Sequence, residues 1–162
     1  MELKTHPSWR KIAVSLYVVA FLVYLIYGLQ PVEASNYSID NELYIPGIDL
    51  TADVTTLELD GNKLNTPDTI VGSFSMATNK TLLIGHSSTV LGRLHELNLG
   101  DIIYYDSNEY KVISIGTLLK DSVNMDKILA SEERDTVVLM TCAGEDLGGG
   151  DATHRLIVTA IR

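Results

Sequence analysis

The stretch VVLMTCAGEDLGGGDATHRLIV, Val137 to Val158, decides how the chain reads. An apolar run, Thr136–Thr141, leads to Cys142, the single cysteine among 162 residues. Residues 143–154 then read as a loop rich in acid and glycine, with Gly144, Gly148, Gly149 and Gly150. A second apolar run, RLIVTAI, begins at Arg155. Two such runs separated by turn chemistry read as antiparallel neighbours joined through the loop. The end of one strand then lies beside the start of the next, which sets Cys142 next to Arg155 at one rim of a sheet. A cation beside a thiol favours the thiolate, the nucleophilic form. A guanidinium there also suits an oxyanion forming on an attacked carbonyl. The plain alternative is an inert buried cysteine, and a glycine-rich loop beside it argues against full burial.

Upstream lie more short runs of β-branched and aromatic residues. Strands are expected near Leu43–Ile45, Asp53–Leu59, Thr69–Phe74, Thr81–Ile84, Ile102–Tyr105 and Glu109–Leu118. Pro46-Gly47, Asp60-Gly61-Asn62, Gly100-Asp101 and Asp106-Ser107-Asn108 supply the breaks. Two segments carry helical spacing instead. Val90–Leu99 places Leu91, Leu94 and Leu97 in register, and Val123–Ala130 does so with Val123, Ile128 and Leu129. Many short strands with few helices predict an all-β domain, an antiparallel barrel or sandwich.

A cysteine nucleophile needs a proton partner, and four histidines are available. His6 precedes the long apolar segment described below. His95 falls within the leucine-spaced segment and reads as a surface residue. His154 neighbours Arg155, and adjacent strand residues point to opposite faces, so one of the two looks away from the site. His86 follows the apolar run TLLI and Gly85, at a strand exit where a turn can aim a side chain into a cleft. His86 therefore ranks above His154.

Ile12 to Leu29 is eighteen residues without a charge. As a helix it spans roughly 27 Å, close to the hydrocarbon thickness of a bilayer. Lys4, Arg10 and Lys11 precede it, and no Lys or Arg follows until Lys63. The positive-inside rule then predicts a cytoplasmic tail over 1–11, a transmembrane anchor over 12–29, a linker over 30–42 and an extracellular domain over 43–162. A cleaved signal peptide ending near Val32-Glu33-Ala34 is the competing reading, and the apolar run is longer than a usual signal core. An exported chain with one cysteine points to a reactive thiol or to intermolecular pairing.

The net charge of −9 is unevenly placed. Residues 31–162 carry nine Lys/Arg against twenty Asp/Glu. That balance argues against nucleic acid or anionic lipid as a partner of the domain. A zinc peptidase is disfavoured because HEL at 95–97 lacks the second histidine at the required spacing. GEDLGGGD has neither the lysine nor the following helix of a phosphate-binding loop.

With these residues in view, LLIGHS (His86), VLMTC (Cys142) and HRLIV (Arg155) resemble the His, Cys and Arg motifs of the sortases, in order and rough spacing. LYIPGIDL at 43–50, GNKLNTPDTIVGSF at 61–74, LGRLHELNLGDIIYY at 91–105 and YKVISI at 110–115 fit the same frame. Two departures stand out. Val138 replaces the first Thr of the family's Thr-Leu-x-Thr-Cys signature, and Ser73 replaces the aromatic often found after Val71-Gly72.

The resemblance implies an eight-stranded β-barrel with one or two short helices, preceded by the membrane anchor. It also implies a transpeptidase with no required cofactor. Such enzymes cut a sorting signal of the Leu-Pro-x-Thr-Gly kind on surface proteins. They pass the acyl group to an amine of cell-wall peptide or a pilin. Carried over, Cys142 is the nucleophile, His86 the general acid and then base, Arg155 the holder of oxyanion or substrate backbone, and Thr141 a helper at the substrate. Some sortases bind calcium, for which Glu132, Glu133, Glu145, Asp146 and Asp151 are the loose candidates. No spaced ligand motif joins them, and they read as solvated loop charges. Two other functions remain open: a cysteine peptidase with water as acceptor, and a non-catalytic barrel that binds a peptide.

Overall fold

The computed structural model describes residues 42–60 and 63–162. The expected tail, the anchor and nearly all of the linker lie outside the described residues. Among the latter, no helix is long and apolar enough to cross a membrane. The strands are β1 Glu42–Ile45, β2 Leu50–Thr56, β3 Leu59–Asp60, β4 Lys63–Leu64, β5 Val71–Ala77, β6 Lys80–Ile84, β7 Ile102–Tyr105, β8 Asn108–Leu119, β9 Thr136–Gly148 and β10 Asp151–Ile161. Eight close a barrel in the order β1-β2-β5-β6-β9-β10-β8-β7, while β3 and β4 form a separate ribbon.

The all-β, eight-stranded expectation holds, but the barrel is not wholly antiparallel. β2 pairs with β5, and β6 with β9, in parallel. Parallel neighbours need a long crossover. Between β6 and β9 that crossover consists of β7, β8 and the segments around them. β2 also starts and stops three residues earlier than expected. It ends at Thr56, Leu57 turns inward to donate its N–H to the Ser73 carbonyl at 2.8 Å, and Leu59 enters the ribbon instead.

The loop expected over 143–154 is mostly strand. β9 runs on to Gly148, β10 starts at Asp151, and the hairpin turns on Gly149 and Gly150. Gly148, Gly149 and Gly150 hold φ of 84°, 65° and 80°. Three left-handed residues in a row leave only glycine without a steric cost. The register slips on both sides of Ala152, so this tip is an irregular extension of a regular ladder.

Of the two expected helices one forms. It is α1, Met125–Leu129, with Asn124 as its N-cap accepting from the Lys127 N–H at 3.0 Å. Val90–Leu99 instead folds as successive turns with a 3-10 turn at Leu94–Glu96. The leucines at 91, 94 and 97 recur every third residue, which is the period of a 3-10 turn rather than of an α-helix. All three are buried.

Strand alternation sorts the apolar residues into two cores. Val137 and Leu139 of β9 face the barrel interior with Leu43, Ile45, Leu83 and Val158. Val138 and Met140 face outward, where Leu82, Ile84 and Ile157 meet the apolar side of α1 and Leu64 of the ribbon. This second core makes the outer face of β6, β9 and β10 a sheltered floor.

Candidate active site

Cys142 stands on that outer face, two residues beyond Met140. β9 is flanked by β6 on one side and β10 on the other. On the β10 side Cys142 and Arg155 are direct cross-strand partners. Directly opposed residues in an antiparallel pair project to the same face. On the β6 side Ile84 pairs with Met140 in parallel, so His86 and Cys142 each lie two residues past the last pairing. β8 comes next after β10, with Leu118 opposite Arg155. Just past the end of β8, Lys120 opens a 3-10 turn over Lys120–Ser122, and its ammonium turns to the Asp151 carboxylate at the head of β10. Thiol and guanidinium thus come from the adjacent strands β9 and β10, while imidazole and ammonium come from the turns that follow β6 and β8, the strands flanking that pair.

These groups share a cleft of about 790 Å³. Its apolar part is lined by Leu59, Leu64, Phe74, Ile84, Leu129 and Met140, and its polar part by His86, Cys142, Lys120, Asp151 and Arg155. The His86 turn is pinned by its own carbonyl, which accepts from the Leu91 N–H at 3.0 Å. The His86 Nε2 lies 3.8 Å from the exposed Asp68 carboxylate, beyond hydrogen-bond reach.

Thr141 is adjacent to Cys142 along the strand and so points to the other face. There it is 4% exposed and donates its hydroxyl to the Gly85 carbonyl at 2.7 Å. That bond ties β9 to the residue preceding His86. His154 is likewise turned from Arg155, with its Nδ1 2.8 Å from the Thr153 hydroxyl. His95 lies on the 3-10 turn with its Nδ1 2.9 Å from the Gly92 carbonyl.

The hairpin tip folds back over the cleft. The Cys142 thiol donates to the Gly150 carbonyl at 3.5 Å. A Cβ at Gly150 would lie 3.6 Å from the His86 ring. The Arg155 guanidinium donates to the Ala152 and His154 carbonyls at 2.9 Å each, and to the Asp151 carboxylate at 2.7 Å. Asp151 also takes an ion pair from Lys120. The Lys120 hydrogen bond, then that of Arg155, hold the Asp151 carboxyl well below the usual carboxylate range.

Sequence reasoning brought Cys142, Arg155 and His86 forward but passed over Lys120 and gave Asp151 only as a loose calcium candidate. The signal for both is positional: Lys120 directly follows the strand that pairs with β10, and Asp151 begins β10. Among the described residues no three His, Cys, Asp or Glu side chains come together to hold a metal ion. What the row can do is acyl transfer. A thiol between an imidazole and a guanidinium has a nucleophile, a proton carrier and an oxyanion donor within one cleft.

The fold has counterparts among known proteins. None of the curated proteins matches the chain. Among solved structures it is similar to a lid mutant of sortase A from Corynebacterium diphtheriae, at 25% identity and a TM-score of 0.58 over 75% of this chain and 68% of that one. Another sortase A structure from the same organism matches at 23% identity and a TM-score of 0.59, over 75% of this chain and 59% of that one. Sortase C from Streptococcus pneumoniae matches at 20% identity and a TM-score of 0.56, over 75% of this chain and 67% of that one. The family described as Sortase domain matches residues 43–162. With three quarters of its length in that match and the eight-stranded barrel in place, the chain belongs to the sortase family.

Proposed function

We propose that this protein is a cysteine transpeptidase that cuts a Leu-Pro-x-Thr-Gly-like sorting signal and joins the new acyl end to an amine. The supporting observation is the row of His86, just past β6, with Cys142 on β9 and Arg155 on β10, in a cleft one side of which is apolar. An extended peptide with an apolar leader fits such a floor, and its scissile carbonyl then meets the thiol.

The Cys142 sulfur attacks the scissile carbonyl carbon, and the C–N bond breaks as His86 protonates the departing amine. The product is a thioester on Cys142. An incoming amine attacks that carbon, gives its proton to His86, and the sulfur leaves as thiolate. Arg155 supports the oxyanion formed in each step, or the substrate backbone beside it. Thr141 borders the cleft and holds the His86 turn against β9. Substrates are surface proteins bearing the signal, and acceptors are amines of cell-wall peptide or pilin subunits. Residues 12–29 anchor the chain in the membrane with the barrel outside.

The test is mass spectrometry on the full chain in detergent, with Leu-Pro-x-Thr-Gly peptides and a glycine amine, beside Cys142→Ala. A ligated product absent from the variant is expected. Cleavage that never ligates with any amine supports a peptidase instead, and turnover by Cys142→Ala overturns the assignment.

A further inference from the structure

The row of polar groups does not stop at Arg155. Lys120 follows it, at the turn just past the next strand, lines the same cleft and is 44% exposed, yet nothing in the proposed chemistry uses it. Its partner is Asp151, whose carboxylate bridges Lys120 and Arg155. The cleft thus contains a carboxylate site made of two cations, filled by the chain itself.

We propose that Lys120 is a specificity residue that reads an acidic side chain of the substrate peptide, and that Asp151 holds the place of that side chain in the free enzyme. This inference rests on the sortase reading of the cleft.

Three observations support it. First, the occupant directly follows a run of three glycines in left-handed backbone. Gly148, Gly149 and Gly150 precede Asp151, all three are exposed, and the ladder register breaks just after it. Glycines of this kind let a tip swing without side-chain repacking. Second, the tip obstructs what a peptide must reach. The Gly150 carbonyl holds the Cys142 thiol and the same residue abuts His86. A peptide that reaches the thiol therefore displaces Gly150 and, with it, the adjacent Asp151. Third, displacement would take from Lys120 and Arg155 the carboxylate they share. One carboxylate exchanged for another restores the ion pairs, whereas a neutral peptide restores neither. Cations are scarce here, since residues 31–162 hold nine Lys/Arg against twenty Asp/Glu, and two of the nine meet in this cleft. The surrounding domain repels acidic peptides, so an acid preference has to come from this pair.

The experiment has two parts. Fluorescent Leu-Pro-x-Thr-Gly peptides carrying Glu or its isostere Gln, at x or at either residue after Thr, are titrated against the full chain with Cys142→Ala. At one position the Glu peptide is expected to bind about three- to tenfold tighter than the Gln peptide. Lys120→Met brings that ratio to about one, and Lys120→Glu turns it toward a Lys peptide. Asp151→Asn, which removes the internal competitor, is expected to tighten the Glu peptide. If Asp151 served only to brace Arg155, the same variant would weaken it. Turnover by the unsubstituted chain is then followed on the same peptides. Peptides that bind and turn over with no Glu preference at any position overturn the Lys120 assignment and leave the transpeptidase reading standing. Peptides that neither bind nor turn over overturn both.

Discussion

Cys142 and Arg155 are direct partners in the β9–β10 ladder, and His86 extends from the strand on the other side of β9. Sheet pairing therefore sets the thiol beside Arg155, and the turn that leaves β6 brings His86 to its other side. Arg155 offers a planar fork with several donors, which a lysine lacks. Arg155→Lys is expected to lower kcat about 10²- to 10³-fold with a smaller change in KM, measured on a cleavable peptide. An unchanged kcat would move Arg155 out of the transition state.

Thr141 links the two strands from behind. Its hydroxyl donates to the Gly85 carbonyl inside the barrel wall, one residue before His86. Thr141→Val keeps the shape and removes the donor, at a cost of about 1–3 kcal/mol for a buried carbonyl left unpaired. Reduced turnover is expected alongside the lower stability, with Thr141→Ser restoring both. Denaturant unfolding and peptide cleavage on the same three proteins test this, and Thr141→Val with full activity would separate the bond from the site.

Much of this was legible in the sequence, and the limits have physical reasons. The Cys142–Arg155 contact follows from two apolar runs joined by turn residues, because hairpin pairing is local. His86 was reachable only as a strand exit, because its strand pairs with β9 in parallel across some fifty intervening residues. No local pattern encodes that pairing. The glycines at 148–150 marked a turn, but the strands run into it further than composition suggests, since acidic residues there face solvent on both sides. Leu91, Leu94 and Leu97 signalled burial correctly and backbone type wrongly. A three-residue repeat serves a 3-10 turn, and a short stretch hides the difference from an α-helix.

That segment carries its own test. Leu91 is 1% exposed and packs in the barrel core, whereas Leu99 in the same stretch is 68% exposed. Leu91→Ala is expected to cost about 2–5 kcal/mol, through lost burial and the cavity left behind. Leu99→Ala stays within about 0.5 kcal/mol of the unsubstituted protein. Equal losses in urea unfolding would mean the turn is not part of the core.

The proposed chemistry needs a thiol that has lost its proton and an imidazole that has kept one. The rate against pH is then bell-shaped, rising as the thiolate forms and falling as the imidazolium is lost. A flat rate between about pH 5 and 9 would remove His86 from proton transfer. The measurement is kcat/KM for cleavage, which reports the free enzyme.

Asp151 gives a pH dependence of a different kind, in stability. Lys120 first, then Arg155, hold its carboxyl below the usual range in the folded chain. A carboxyl that is more acidic folded than unfolded stabilises the fold above its unfolded range, near pH 4. That contribution declines as pH falls from there toward the lower folded-state value. In Asp151→Asn the contribution is absent at every pH. The melting temperatures of the two proteins are therefore expected to differ most near neutrality and to converge below about pH 4, with the gap narrowing as the solution becomes more acidic. The site is partly open to solvent, so added salt narrows the neutral-pH gap as well. A gap that stays constant from neutral pH down to about pH 2 would mean that the Lys120–Asp151–Arg155 bridge does not form in solution, and the tip of the β9–β10 hairpin would then be free of the cleft.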